Sequence, residues 1–282
     1  MQYNCSGYNF LIKIADRLIF ALLFLLIFSS CTSLGPTERN IRGSYFVSLE
    51  DELTTSLAET IEISSLSFNE NSKVIIWMHG TNRPSVAGNL NCSDDMPPES
   101  LIVAAEKLYF SIYYLCSNAT DGFEKGSFIY KRVSELEETI SHFNKAGIPS
   151  KNIFLSGFSA GGWTALMAAS ILPDSFKGGV LFAPAFSGPR YETTIFPVWR
   201  KVIRPKQINE ISKAKRLNFL VFAYEDDPFN RPKDLDFLLN RKTSYPEIIG
   251  YNCNKGHFTY KKDCKSSETS SRILTFLQES ES

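Results

Sequence analysis

Residues 152–172 constrain the fold more than any other stretch. Asn152-Ile153-Phe154-Leu155-Ser156 is a short apolar run with polar ends, the mark of a strand buried on both faces. Gly157-Phe158-Ser159-Ala160-Gly161-Gly162 follows it, and Ala160–Leu172 is a nearly all-apolar helix. A helix apolar all round is buried on most sides. A strand and a helix of this kind, joined by a glycine-rich turn, belong to the middle of a larger sheet with cover on both faces.

The rest of the chain repeats that alternation. Lys73–Met78 (KVIIWM), Gly179–Ala183, Asn218–Ala223 (NFLVFA) and Glu247–Tyr251 read as further buried strands, and Leu108–Leu115 as another. Ile129–Ala146 carries Val133, Leu136, Ile140 and Phe143 three or four apart, so it is an amphipathic helix. Gly147-Ile148-Pro149 stops it. Leu235–Leu239 reads as helical and Thr269–Gln278 as a closing helix. Ile41–Leu49 and Leu57–Ser67, rich in β-formers, are expected to open the domain as an antiparallel pair. Strands alternating with helices predict an α/β fold, a mainly parallel sheet with helices on both faces. One domain over residues 41–282 accommodates all of these elements, with residues 184–217 as a short cap-like segment.

The N-terminus reads as a targeting segment. Eleven apolar residues run from Leu18 to Phe28 behind Lys13 and Arg17, too few to span a bilayer. A basic region, an apolar region and then small residues have the shape of a secretory signal. Ser29-Ser30-Cys31 at its end resembles a bacterial lipoprotein signal, which implies a signal peptide over 1–30, acylation of Cys31 and a tether over 31–40. Phe28 departs from that pattern, where Leu is usual. Thr32 rather than Asp after the Cys favours an outer-membrane address, so the expected localisation is exported and membrane-anchored. Four cysteines remain, Cys92, Cys116, Cys253 and Cys264. Export favours disulfides, and the local pairing Cys92–Cys116 with Cys253–Cys264 closes the shortest loops.

Charge narrows the partners. Lys and Arg together number 30, as do Asp and Glu, so the formal net charge is zero. That argues against nucleic acid, whose binders carry a basic surplus. There is no CxxC pair and there are only three His, which argues against a zinc site.

Chemistry concentrates around Ser159. A serine at a sharp strand-to-helix turn has its hydroxyl lifted above the sheet, and the helix start presents N–H groups and a positive dipole end beside it. A serine at its ordinary pKa needs a base. The candidates are His79, directly after KVIIWM, His142, on the amphipathic helix, and His257, in Gly256-His257-Phe258. An acid must orient that base, and Glu225-Asp226-Asp227-Pro228 follows the strand NFLVFA at a strand end, where functional groups collect in open α/β sheets. Asp226 competes with Asp227; the Pro that follows favours Asp227.

Over about residues 70–280 the chain resembles the α/β-hydrolase superfamily, on Gly157–Gly162, Asp227, Gly256-His257-Phe258 and His79-Gly80. The resemblance implies Ser159 as nucleophile, Asp227 as acid and His257 as base, in the chain order of that superfamily. It also implies an oxyanion hole from the backbone N–H groups of Thr81 and Ala160, a structural role for His79, and no cofactor. The second glycine of the turn resembles the branch of dienelactone-hydrolase-like and polyester or feruloyl esterases, and serine peptidases of the prolyl-oligopeptidase type. His79-Gly80-Thr81-Asn82 departs from the HGGG of hormone-sensitive-lipase-type esterases, and no β-propeller is expected ahead of the domain, which tells against the oligopeptidase type.

The expected function is a serine esterase acting on a small or polymeric ester, with the membrane contacted through the lipid anchor. A peptidase or amidase on the same residues, or a non-catalytic surface protein that kept the fold, are the alternatives. Phe186, Tyr191, Phe196 and Trp199 of the cap-like segment either line an acyl or aryl pocket or pack that segment onto the core.

Overall fold

Strict alternation along the strands sets the two faces of the sheet. In β2 (Lys73–Met78), Val74, Ile76 and Met78 point into one hydrophobic core, and Ile75 and Trp77 into another. β4 (Ile153–Phe158) divides in the same way, Ile153 and Leu155 against Phe154 and Phe158. So does β6 (Phe219–Tyr224), with Phe219, Val221 and Ala223 against Leu220, Phe222 and Tyr224. A strand buried on both sides has no polar face to show, which is why these segments read as continuous apolar runs.

The computed structural model describes residues 45–47, 63, 68–81, 95–117, 119, 127–186, 199–239, 245–262 and 264–281. The remaining strands are β1 (Tyr45–Val47), β3 (Phe110–Leu115), β5 (Gly178–Phe182) and β7 (Glu247–Tyr251). The sheet order is β1-β3-β2-β4-β5-β6-β7, and every neighbouring pair is parallel except β1 with β3. β1 pairs antiparallel with β3, Tyr45 opposite Tyr114; the expected antiparallel partner of this segment is residues 57–67. Apart from Ile63, those residues lie outside the described ones.

Five helices cover the sheet among the described residues: α1 (Glu99–Lys107), α2 (Ser127–Lys145), α3 (Ala160–Ile171), α4 (Arg204–Ser212) and α5 (Ser266–Glu281). Leu136, Ile140 and Phe143 of α2, Leu166 of α3 and Ile211 of α4 fill one core. Leu101 and Ala104 of α1 and Ile273, Phe276 and Leu277 of α5 fill the other. α3 is buried along nearly its whole length, as its composition requires. Its Trp163 donates an indole hydrogen bond to Gln207 of α4 at 2.8 Å, so the one polar atom of that buried ring is satisfied.

The cap-like stretch contributes a π-helical turn, Trp199–Ile203, that runs straight into α4. Phe186 packs on the core against Phe128, ring centroids 5.1 Å apart, which assigns it to packing rather than to a pocket. Tyr191 and Phe196, and the side chain of Trp199, lie outside the described residues. So do the expected signal peptide, the tether, Cys31 and Cys92. Cys116 is disulfide-bonded, and Cys253 and Cys264 are bridged with Cα atoms 5.7 Å apart. Among the described residues no helix is long and apolar enough to cross a membrane.

Candidate active site

The site is built at the C-terminal ends of β2, β4, β6 and β7. β4 ends at Phe158 and α3 begins at Ala160, so one residue, Ser159, makes the whole turn. Its backbone sits at φ 51°, ψ −116°, in a region where L-residues are strained. Three hydrogen bonds hold it there. Ser159 N–H donates to Phe182 O (3.0 Å), and Ser159 O accepts from Trp163 N–H (2.9 Å) and Ala185 N–H (3.1 Å).

The glycines explain how α3 comes so close. A Cβ on Gly161 would stand 2.1 Å from Met78 O, and one on Gly157 would stand 2.7 Å from the Gly161 carbonyl carbon. Both positions face backbone that no side-chain adjustment can move, so Gly is required at each. The first turn of α3 therefore rests directly on the end of β2.

The sequence-predicted residues converge. Asp227 Oδ2 lies 2.7 Å from His257 Nδ1, and His257 Nε2 lies 2.8 Å from Ser159 Oγ. A carboxylate only accepts, so Nδ1 carries the proton, and the lone pair on Nε2 faces the serine hydroxyl. His257 is 5% exposed and Asp227 fully buried. Phe229 and Phe158 stand 4.4 Å and 4.8 Å from the imidazole and shield it from water. Asp227 Oδ1 accepts from Phe229 N–H at 2.6 Å, so the carboxylate is fixed from its own loop. Arg200 donates to Phe229 O at 3.0 Å and holds that loop from outside.

The two adjacent aspartates do different work. Asp226 accepts from Gly256 N–H at 2.7 Å, beside the histidine but not on it. It joins the loop of Asp227 to the loop of His257. The second loop is stapled by Cys253–Cys264, eleven residues apart, with His257 between them. His142 stands apart on α2, half-buried.

His79 serves a different end. It is fully buried, accepts from Ser117 N–H at Nε2 (3.0 Å), and its Nδ1 lies 2.8 Å from Gly80 O. Both ring nitrogens are engaged by the neutral tautomer, with the proton on Nδ1. Arg132 of α2 is also buried and donates to His79 O (2.7 Å), Gly80 O (2.9 Å) and Ala119 O (2.8 Å). Together they pin the turn after β2. Thr81 follows it and is exposed. Ala160 is the first residue of α3, so its N–H has no acceptor within the helix.

Sequence reading missed Arg132. Its signal was position: four residues before Leu136 and four after Phe128, it lies on the apolar stripe of α2, where a charge requires an explanation. Burial pulls the Arg132 guanidinium down to about 10. Among the described residues no cluster of three or more His, Cys, Asp or Glu is placed to hold a metal ion. A cavity of about 240 Å³ lies at the opposite end of the strands, lined by Lys151, Lys177, Asn218 and Phe219 among others, and none of the residues above borders it.

The chain is similar to known proteins in part of its sequence and in its fold. A family model described as phospholipase/carboxylesterase matches residues 95–197, the span that includes Ser159. A monoacylglycerol lipase of Paleococcus ferrophilus shares the fold at a TM-score of 0.54 and 14% identity, over 76% of this chain and 97% of that one. Est1E of Butyrivibrio proteoclasticus, with ferulic acid bound, shares it at 0.56 and 12%, over 84% and 94%. A puromycin-hydrolyzing peptidase of Mycobacterium tuberculosis shares it at 0.52 and 14%, over 73% of this chain but 34% of that one. No curated protein sequence matches the chain significantly. These likenesses show the fold that the chain shares with those enzymes, and the family match spans residues 95–197 of it.

His79 generates a pH prediction. Burial, and then the charge of Arg132, lower its pKa from 6.5 to about 3. The unfolded chain therefore takes up a proton at His79 below about pH 6.5, while the folded chain resists until about 3. The stability from keeping this ring neutral is fully present above pH 6.5 and is lost as pH falls toward 3, at about 1.4 kcal/mol per pH unit. Urea denaturation between pH 6 and 5 should show that slope in the wild type, and a shallower one in His79→Gln.

Proposed function

We propose that this protein is an exported serine hydrolase that cleaves a carboxylic ester through Ser159, His257 and Asp227. The observation that carries the reading is the continuous relay from Asp227 through His257 to Ser159, at 2.7 and 2.8 Å, on a strained strand-to-helix turn. Ser159 Oγ attacks the ester carbonyl as its proton passes to His257 Nε2, and Asp227 stabilises the imidazolium. The Thr81 and Ala160 N–H groups receive the negative oxygen, each worth about 3 kcal/mol by analogy with other oxyanion donors. Collapse expels the alcohol, protonated by His257. Water then attacks the acyl-enzyme with His257 as base, and the acid leaves.

The surroundings favour an apolar or aryl substrate group. Phe158, Phe229 and Phe258 flank the imidazole, and Phe258 is 56% exposed beside it. An amide or peptide bond is the alternative on the same residues; paired ester and amide substrates of one acyl group separate the two.

Export is part of the proposal. The Cys253–Cys264 bridge supports it, since such bonds persist in oxidising compartments. Acylation of Cys31 would hold the enzyme at a membrane by its N-terminus. Mass spectrometry of the mature protein should find a lipid-modified Cys31 as the first residue; an unmodified Cys31 or another cleavage point refutes the anchor.

For the chemistry, Ser159→Ala should lower kcat by about a thousandfold or more while the fold is kept. Asp227→Asn should lower kcat by about 10⁴-fold, because it changes the histidine tautomer. Asp226→Asn retains an oxygen for Gly256 N–H and should stay within about tenfold. Steady-state kinetics on an aryl ester ranks the three, and a reversed ranking of the two aspartates would move the acid to Asp226.

A further inference from the structure

Asp95 stands just before α1, in the polar stretch Asn91-Cys92-Ser93-Asp94-Asp95, which carries no catalytic motif. It is nonetheless 8% exposed. Its Oδ2 accepts from Gly80 N–H at 3.1 Å. Its Oδ1 accepts from the Tyr260 hydroxyl at 3.2 Å and lies 3.3 Å from Lys261 Nζ. Its own backbone oxygen accepts from the indole of Trp77 at 2.7 Å. One carboxylate thus bonds two segments that are far apart in sequence, the turn after β2 and the stapled loop that carries His257.

The neighbours make this joint a stiff one. Tyr260 is 1% exposed and stacks on Phe158 at 4.0 Å, and Phe158 in turn touches the His257 ring. A Cβ on Gly80 would come within 2.9 Å of Asp95 Oδ2 and 3.0 Å of the Phe158 ring, so the turn is pressed against both. Arg132 takes the carbonyls of His79 and Gly80 from the α2 side. Asp95 takes the Gly80 N–H from the α1 side. With those groups engaged, the next donor along the turn is Thr81 N–H, and its direction is set by how firmly the turn is held.

We propose that Asp95 is a positioning residue that locks the oxyanion turn at 79–81 to the loop of His257, so that base and oxyanion donors keep one fixed separation around the ester carbonyl. The proposal rests on the ester-hydrolase reading above. A donor misplaced by about 1 Å can cost about a hundredfold in rate, and a lost donor about a hundred- to a thousandfold. Substrate binding does not depend on that separation, so the effect belongs in kcat.

The test compares Asp95→Ala with the wild type in two measurements. Ala has no polar side-chain atom, so it can serve neither Gly80 N–H nor the Tyr260 hydroxyl. In hydrogen exchange, peptides covering 79–81 and 256–262 should both lose protection in the variant. This reads the joint whether or not any ester is turned over. In kinetics, kcat on an aryl oxoester should fall about ten- to a hundredfold with KM within about twofold. The preference for that oxoester over its thionoester should shrink by a similar factor, because sulfur is a poor acceptor for oxyanion donors. A wild type that turns over no ester would count against the ester reading alone. Unchanged exchange in either segment, an unchanged kcat, or a fall in kcat with the oxo-to-thiono preference intact would overturn the role of Asp95. Should Asp95→Ala fail to fold, Tyr260→Phe removes only the hydroxyl and keeps the stacked ring. It should still lower kcat severalfold, and wild-type kinetics in Tyr260→Phe would equally overturn the proposal.

Discussion

Everything in this site depends on one residue holding a backbone conformation it would not choose. Ser159 turns the chain from β4 into α3 at a positive φ, a strain of about 1–3 kcal/mol for a residue with a Cβ. The surrounding structure holds it there. α3 is buried nearly end to end, and its first turn lies on Met78 O with room for hydrogen atoms only at Gly161 and Gly157. Moving Ser159 to a relaxed conformation would swing α3 out of the core. The burial of one apolar helix therefore keeps the serine hydroxyl at the rim of the sheet.

Once Ser159 is fixed, its partners must be brought to it from the loops after β6 and β7, and loops hold geometry poorly by themselves. Each is tied more than once. The Asp227 loop is held by its own Asx-type bond to Phe229 N–H and by Arg200. The His257 loop is held by Asp226, by the Cys253–Cys264 bridge and by the stacking of Tyr260 on Phe158. The turn after β2 is held by Arg132 and His79 on one side and Asp95 on the other. Buried polar groups of this kind stabilise only when all are satisfied, and then they specify one arrangement.

Much of this was legible in the residues. The apolar runs at 73–78, 153–158 and 219–224 announced strands buried on both faces, and the spacing of Val133, Leu136, Ile140 and Phe143 announced α2. The order Ser159, Asp227, His257 followed from motif and context. Other parts left a weak trace. β1 is three residues long, too short for periodicity, and its partner β3 lies far along the chain. α1 has only nine residues, though Pro97 and Pro98 marked its start. α4 carries few apolar residues, so periodicity does not mark a helix within the cap-like segment. Asp95 has no local signature at all, because its role depends on Gly80 and Tyr260, which only the folded chain brings near it.

The central claim is that Ser159 is an activated nucleophile, made so by His257 and Asp227. Reaction of the folded protein with a fluorophosphonate probe, followed by peptide mapping, tests it most directly, because the probe bonds to a serine only where a base and oxyanion donors are already in place. The account predicts one adduct per chain, on Ser159, abolished by denaturing the protein beforehand. An unlabelled protein, or an adduct on any other residue, would contradict it.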